Sequence, residues 1–517
     1  MDGVPADRVR TEPTLSGPRP YRPPRLYRYA RWRVARAQRY LGSADTFLRP
    51  VLTLVSGAAA AQAIIFAARP VLTRLYTPDE FGVLTVFVTL VAIFATVGSG
   101  RYEDALMLPD EDREAANVLA LALLVVAGIA LLVSLSLVWL PTWESLLGGE
   151  ALRPALLLLP PALLLMGWHT ILETWHTRGD RFRAVAVARS AQSLVAVGLQ
   201  LAAGLFAVGA LGLVGGATAG FAIAALWLSV VWVQRDGLRL WSHVRFGMLP
   251  RVMKRYARFP LYSAPAALLN VLASRAPVLL LAAFFATDTV GQFGVAFGTL
   301  VLPLGLIAGA IGQVFFVRAA EAHRTGDLGG LTLAFYRRLL VVTVYPALVV
   351  LVAGPRLFTF VFGSAWEVAG QYAQALAVWV FLVSVAVPLT RVFDVTERQR
   401  ADLGFSVLLF AVQTGAFIIA SVNGDALYAV LVLGVVGAAL RLLHIGWMLH
   451  LAGASLVRAA SDLLWVVATT LPFLAIVVLA QMVSESGAVV LGIAVLSGLG
   501  YLAFAAWRGA LREPASS

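Results

Sequence analysis

Apolar runs about as long as a bilayer is thick recur along this chain, separated by short polar connectors. A crossing helix needs ~20 mostly apolar residues. Such runs fall near 51–73, 82–107, 115–140, 155–176, 185–208, 210–233, 259–285, 289–317, 331–353, 368–390, 402–422, 426–449, 460–482 and 487–507. The pattern predicts an all-α integral membrane protein with about 14 transmembrane helices. Alternation at period two, the mark of strands, is not what carries the hydrophobicity.

The basic residues orient these spans. With the N-terminus placed in the cytoplasm, the outer connectors carry only Arg74, Arg153 and Arg356, against 19 Arg and Lys in the inner ones. The positive-inside rule therefore puts both termini on the cytoplasmic side. One span more or fewer would scramble that alternation. The outer connectors are short, the longest lying around 141–154 and 354–367. They leave no room for the large external loop in which a membrane glycan polymerase or ligase builds its site.

Composition sharpens this picture. Of 517 residues 60% are hydrophobic and only 13% charged, which excludes a soluble multidomain enzyme. There is no cysteine, so no disulfide framework and no thiolate metal site is expected. The net charge is +12, and residues 1–50 alone supply eleven Arg against four acids. Residues 1–49 read as a largely disordered, basic cytoplasmic tail, rich in Pro and Arg. Its stretch from Tyr27 to Tyr40 interleaves Arg with aromatics, and is expected to be a solvated tail obeying the positive-inside rule or, alternatively, a basic helix lying on anionic headgroups. Nucleic acid is not the expected partner, because the tail abuts a membrane domain. Nor is the tail a signal peptide, since some fifty largely polar residues precede the first apolar run.

Two stretches repeat at an offset of about 209 residues. ARPVLTRLYTPDEFGVLTVFVTLV starts at Ala68, and SRAPVLLLAAFFATDTVGQFGVAFGTLV starts at Ser274. Each has an Arg before Pro-Val-Leu, then an acidic turn, then a Gly (Gly82, Gly291) opening the next span. With six spans in each copy, the repeats would run parallel, about an axis along the membrane normal. The expected organisation is an N-lobe over 50–234, a basic inter-lobe loop over 235–257, a C-lobe over 258–450, and two further spans within 451–517. Together these give two pseudo-symmetric six-helix lobes plus two extra C-terminal helices.

The stretch LTRLYTPDEFGVLTVFVTLVAIFATVGSGRYEDALMLPDEDREAANVLAL (72–121) resembles the opening of bacterial polysaccharide flippases of the O-antigen type. These form the polysaccharide-transporter branch of the multidrug/oligosaccharidyl-lipid/polysaccharide (MOP) exporter superfamily. The resemblance returns in WHTRGDRFRAVAVARSAQSL (175–194), FPLYSAPAALLNVLASRAPVLLLAAFF (259–285) and GQVFFVRAAEAHRTGDL (312–328), and covers roughly residues 51–450. It implies transfer of an undecaprenyl-pyrophosphate-linked oligosaccharide, an O-antigen or exopolysaccharide repeat unit, from the inner to the outer leaflet of the bacterial plasma membrane. It implies alternating access of two rocking lobes, no cofactor, no enzymatic step, and contact with glycan-polymerase or assembly machinery. The absence of a GxxxxGK[ST] loop agrees with a transporter that hydrolyses no nucleotide. A cation-coupled multidrug exporter and a peptidoglycan-precursor flippase of the same superfamily are the competing readings.

Charged residues inside spans are the candidates for function. Arg69 and Arg275 occupy matching places in the repeats, and Arg binds a diphosphate bidentately without losing its charge. The alternative is that both reach up to the outer interface. Arg101, Glu103 and Asp104 lie near the inner end of the second span, as a headgroup-entry gate or a self-neutralising cluster. His169, Glu173 and His176 share one helix face on the fourth span. There Glu173 and His169 are coupling candidates, or Glu173 simply pairs with the nearby Arg178. The set is a poor metal constellation, so no metal is expected. Arg189, Arg337, Arg338 and Arg441 sit toward inner span ends, where snorkelling accounts for them.

Overall fold

The structure is a computed structural model that describes residues 44–147, 149–237 and 242–508. Residues 1–53 group as one unit and 54–517 as another, and the helical bundle is the second of these. The expectation for the tail falls mostly outside the described residues. Among the latter there is no strand. The long helices are α1 (Ala44–Leu75), α2 (Pro78–Gly98), α3 (Asp112–Ser136), α4 (Arg153–Arg178), α5 (Phe182–Leu205), α6 (Ala210–Trp232) and α7 (Ala264–Phe284). There follow α8 (Thr287–Thr325), α9 (Leu328–Phe362), α10 (Glu367–Leu389), α11 (Gln399–Asn423), α12 (Ala426–Leu451), α13 (Leu456–Val483) and α14 (Gly487–Trp507). Twelve described helical segments are long and apolar enough to cross a membrane. The protein is a multi-pass membrane protein. Helices α1 and α8, outside that twelve, cover the two remaining apolar runs.

Local sequence punctuates the helices. Thr77 caps α2 in a reciprocal box: its hydroxyl accepts from the Glu80 amide at 3.3 Å and its own amide donates to the Glu80 carboxylate at 2.7 Å. Pro78 follows at the first helical position. The apolar stretch around Gly209 breaks in two, because Ala207 and Gly209 adopt positive φ of 52° and 75°. The second predicted span ends earlier than its hydropathy suggests. Helix α2 stops at Gly98, and Gly100 and Arg101 turn the chain with φ of 60° each.

The helices α2–α6 pack among themselves, α5 on α6, α4 on α6, and α3 on α4. Helices α7–α14 make a second set, with α10 at its centre against α8, α9 and α12. Helices α13 and α14 pack on each other and against α9. The two sets meet where α2 lies on α7 and α8. The connectors after α2, α4, α6 and α10 carry basic residues, and Arg324 and Arg458 flank those after α8 and α12, which makes theirs the basic end of the bundle.

Where α2 and α8 cross, near the opposite end, the backbones touch. A Cβ on Gly82 would overlap the carbonyl of Thr287, and one on Gly291 would overlap the carbonyl of Pro78. Gly294, one turn on, abuts the side chain of Thr85. Glycine is required because only its missing side chain allows so close a crossing. The crossing is sealed by Trp366, fully buried, whose indole donates to the Thr73 carbonyl at 2.8 Å and stands edge-on to Phe81 at 5.1 Å. Arg74 adds a bond to the Phe360 carbonyl at 2.9 Å.

Candidate functional site

The second helix set holds a cavity of about 550 Å³ between α7, α8, α10, α11 and α12. Its wall is largely aliphatic and aromatic: Phe297 and Trp379 line it, stacked with centroids 5.8 Å apart, and the buried Phe293 stacks on Phe297 at 5.5 Å. Two guanidinium groups, Arg275 from α7 and Arg441 from α12, line it, and no Asp or Glu does. Arg275 stands nine residues from the end of α7 at Phe284, ~14 Å of helix rise. Arg441 stands ten residues from the basic end of α12 at Leu451, ~15 Å. Both are therefore near mid-depth. Two buried donors in this wall, Trp379 Nε1 and Arg441 Nε, have no hydrogen-bond partner. The arrangement suits an anion: fixed positive charge, unused donors and a largely apolar wall, beside which a charge-assisted bond is strong.

Arg69 takes a different position from the one the repeat suggested. Its guanidinium donates to Thr299 Oγ1 at 3.2 Å and fills the space left by the missing side chain of Gly298, 2.7 Å from where a Cβ would stand. Gly298 lines the cavity and Arg69 does not. Arg69 thus bridges α1 to α8 beside the cavity wall, while Arg275 lines the cavity. The placement of Arg441 on the cavity is the feature that span counting missed. Position along a helix located it near an end, whereas its direction is fixed by how α12 packs on α10 and α11.

Arg101, Glu103 and Asp104 come together at the basic end, beyond the end of α2. Arg101 pairs with Asp104 at 2.7 Å and reaches Glu103 at 3.7 Å. Glu103 is buried and accepts from the Ser99 hydroxyl. Burial pushes the Glu103 carboxyl above its ordinary range, against the pull of the Ser99 bond and of Arg101. Arg101 in the left-handed region aims its side chain back at both carboxylates, so the cluster is largely self-neutralised.

On α4, Glu173 lies 3.4 Å from His169 and is bound by Arg189 of α5. Arg178 turns instead to Asp112 at 3.0 Å and to the carbonyls of Leu106 and Pro109. His176 leaves the group, its Nε2 standing 3.0 Å from the Leu228 carbonyl. Among the described residues no group of acidic and imidazole side chains is arranged to hold a metal ion.

Comparison with known proteins decides the family. Residues 71–371 match the family model described as polysaccharide biosynthesis protein. The chain belongs to this family. Comparison with curated proteins gives no match. Among solved structures, the fold is similar to the lipid II flippase MurJ in an inward closed conformation, with a TM-score of 0.66 at 10% identity, covering 90% of this chain and all of that one. An inward-facing multidrug resistance MATE transporter of the MOP superfamily gives 0.59 at 15% identity, over 79% of this chain and 95% of that one. A MOP superfamily transporter from Pyrococcus furiosus gives 0.51 at 13%, over 80% and 96%. This member of the family therefore has the MOP-superfamily fold, and the proteins sharing it are transporters and flippases, not enzymes.

Proposed function

We propose that this protein flips a lipid-linked oligosaccharide carrying a diphosphate, such as an undecaprenyl-pyrophosphate-linked O-antigen or exopolysaccharide repeat unit, across the bacterial plasma membrane. The observation that carries this reading is the acid-free cavity near mid-depth with Arg275 and Arg441 on its wall. A cationic drug would be repelled there, which disfavours the multidrug reading. Arg275 holds the diphosphate, Arg441 joins it, and Arg69 positions the wall through Thr299 and Gly298. Helices α1–α6 and α7–α12 act as two rocking lobes, α1 and α8 crossing the membrane with the rest. Both termini are cytoplasmic, so the basic end faces the cytoplasm and its arginines meet anionic lipid.

The direct bonds between the two halves, Arg69–Thr299, Arg74–Phe360 and Trp366–Thr73, cluster at the end opposite the basic one. At the basic end the link runs through segment 242–258, where Tyr256 and Arg255 bind Glu114 and the Arg245 amide donates to Asn117. This supports a state shut toward the outside. Membranes lacking the protein should accumulate lipid-linked repeat units on the inner leaflet, and an Arg275→Gln copy should not relieve it. Normal outward delivery without the protein would sink the proposal. The likeness to a lipid II flippase favours a peptidoglycan precursor as a second reading. Loss of cell-wall synthesis with surface glycans intact would select it.

A further inference from the structure

Behind the cavity, Arg441 is in contact with a buried histidine that the binding of an anion does not by itself require. His444, one turn along α12, is 1% exposed and lies between the rings of Phe405 and Phe393, with centroids at 4.4 and 5.6 Å. Its Nδ1 is 3.4 Å from Arg441 Nη1, and its Nε2 is 3.5 Å from Asp402 Oδ1 on α11. Nε2 makes no hydrogen bond of good geometry.

A guanidinium only donates, so the contact to Arg441 requires a lone pair on Nδ1. The neutral ring then carries its proton on Nε2, toward Asp402. In that form His444 holds Arg441 back by accepting from it. A proton taken up from water at Nδ1 replaces the lone pair with a second N–H. The acceptor is lost, and a second positive charge stands beside the guanidinium. Arg441 is driven toward the cavity, while Asp402 balances the imidazolium.

Helix α12 packs chiefly on α10 and α11, and more lightly on α9, α13 and the turn Arg391–Val395. Of the charged groups on these elements, Asp402 is the one in contact with the ring. Arg391 and Asp394 pair with each other at 3.0 Å, and Arg337 with Asp462 at 3.8 Å. Arg338 lies over the Phe335 ring, and Arg400 and Arg458 are exposed. Glu367 begins α10 at the end opposite the basic one.

We propose that His444 is a positioning residue whose protonation, balanced by Asp402, releases Arg441 into the cavity and so couples proton uptake to anion binding. The inference rests on the cavity being an anion site. By linkage, an anion that draws Arg441 forward also raises the affinity of His444 for its proton. The device sets loading of the site and does not itself supply the driving force for transport.

The test is binding of inorganic pyrophosphate to the full-length protein in nanodiscs, by calorimetry between pH 8 and 5.5. The wild type is compared with His444→Gln, Asp402→Asn and Arg275→Gln. Glutamine keeps an acceptor for Arg441 and cannot be charged, so it also carries the probe's own titration. The wild-type affinity is expected to rise relative to His444→Gln as pH falls, by about 5- to 150-fold. Asp402→Asn should move that rise to lower pH. Parallel profiles for wild type and His444→Gln, with binding still lost in Arg275→Gln, overturn the switch and leave the anion site standing. Should His444→Gln not fold, Asp402→Asn decides, since Asp402 is one-third exposed: a profile identical to wild type overturns the proposal. Absence of Arg275-dependent binding at every pH removes the anion site and the switch with it.

Discussion

Gly82 and Gly291, 209 residues apart, each lie against the backbone of the other's helix at one crossing. Gly82 meets the carbonyl of Thr287 and Gly291 meets that of Pro78, and those two partners are themselves 209 residues apart. The contact is reciprocal, as a two-fold relation between repeats requires. It closes the end of the bundle opposite the basic one.

Alanine at either glycine should open this end. The obstacle is backbone carbonyl, which cannot swing aside as a side chain does, so the helices must part. The chain has no native cysteine, so Ser274→Cys, on the cavity wall, introduces a single thiol. In whole cells its labelling by an impermeant maleimide should quicken several-fold when Gly82→Ala is added. Unchanged labelling would mean that this crossing does not gate the cavity.

Trp366→Ala should cost about 3–5 kcal/mol, as large aromatic-to-alanine changes in packed interiors do. Trp366→Phe keeps the contact with Phe81 and loses only the bond to the Thr73 carbonyl, at about 1 kcal/mol. Thermal unfolding in detergent reads the difference, and equal losses for the two variants would contradict it.

Arg275→Gln should weaken pyrophosphate binding by about 1.5–3 kcal/mol, the range for bonds to charged groups, or roughly 10- to 150-fold. Arg275→Lys should recover part of it, because charge is kept and the bidentate fork is lost. Arg69→Gln should act differently, reducing stability through Thr299 before it affects pyrophosphate affinity. Equal losses of pyrophosphate affinity at both positions would place Arg69 on the anion after all.

Glu173→Gln separates coupling from structure. If its work is to neutralise Arg189, the single change strands a half-buried guanidinium and destabilises by about 3–5 kcal/mol at most. Glu173→Gln combined with Arg189→Gln should then restore much of the stability and the transport. A stable but transport-dead single variant, not rescued by the second change, would make Glu173 the coupling carboxylate.

At the basic end the pH dependence has a definite sign. Burial raises the Glu103 carboxyl above its unfolded value, so its contribution to stability is present at low pH and lost as pH rises through the folded value. Glu103→Gln should therefore gain on the wild type in melting temperature from about pH 4 toward neutrality. A constant difference across that range would show that the carboxyl is not held in its raised state. Tyr256, pushed up by burial and by Glu114, should stay protonated well into alkali, which ultraviolet titration checks.

Much of the fold was legible in the one-dimensional pattern. Runs of apolar residues fixed the helices, because backbone polar groups in lipid must be satisfied within a helix. The Gly82 and Gly291 correspondence was visible as a repeat, as was the scarcity of charge. Span ends were less certain: the second run extends past Gly98, where hydropathy continues but two positive-φ residues turn the chain. Which side a charge faces was not legible at all. Glu173 stands five residues from Arg178 and sixteen from Arg189, yet binds the latter, since the turn after α4 folds α5 back along it. Arg441 looked interfacial by its place on α12 and instead lines a cavity with Arg275, 166 residues earlier. Hydropathy depends on composition within a window, so sequence alone determined that the chain enters lipid as a series of helices. Rotation of each helix about its axis depends on what packs beside it, so only the tertiary structure decided which arginines meet in the cavity.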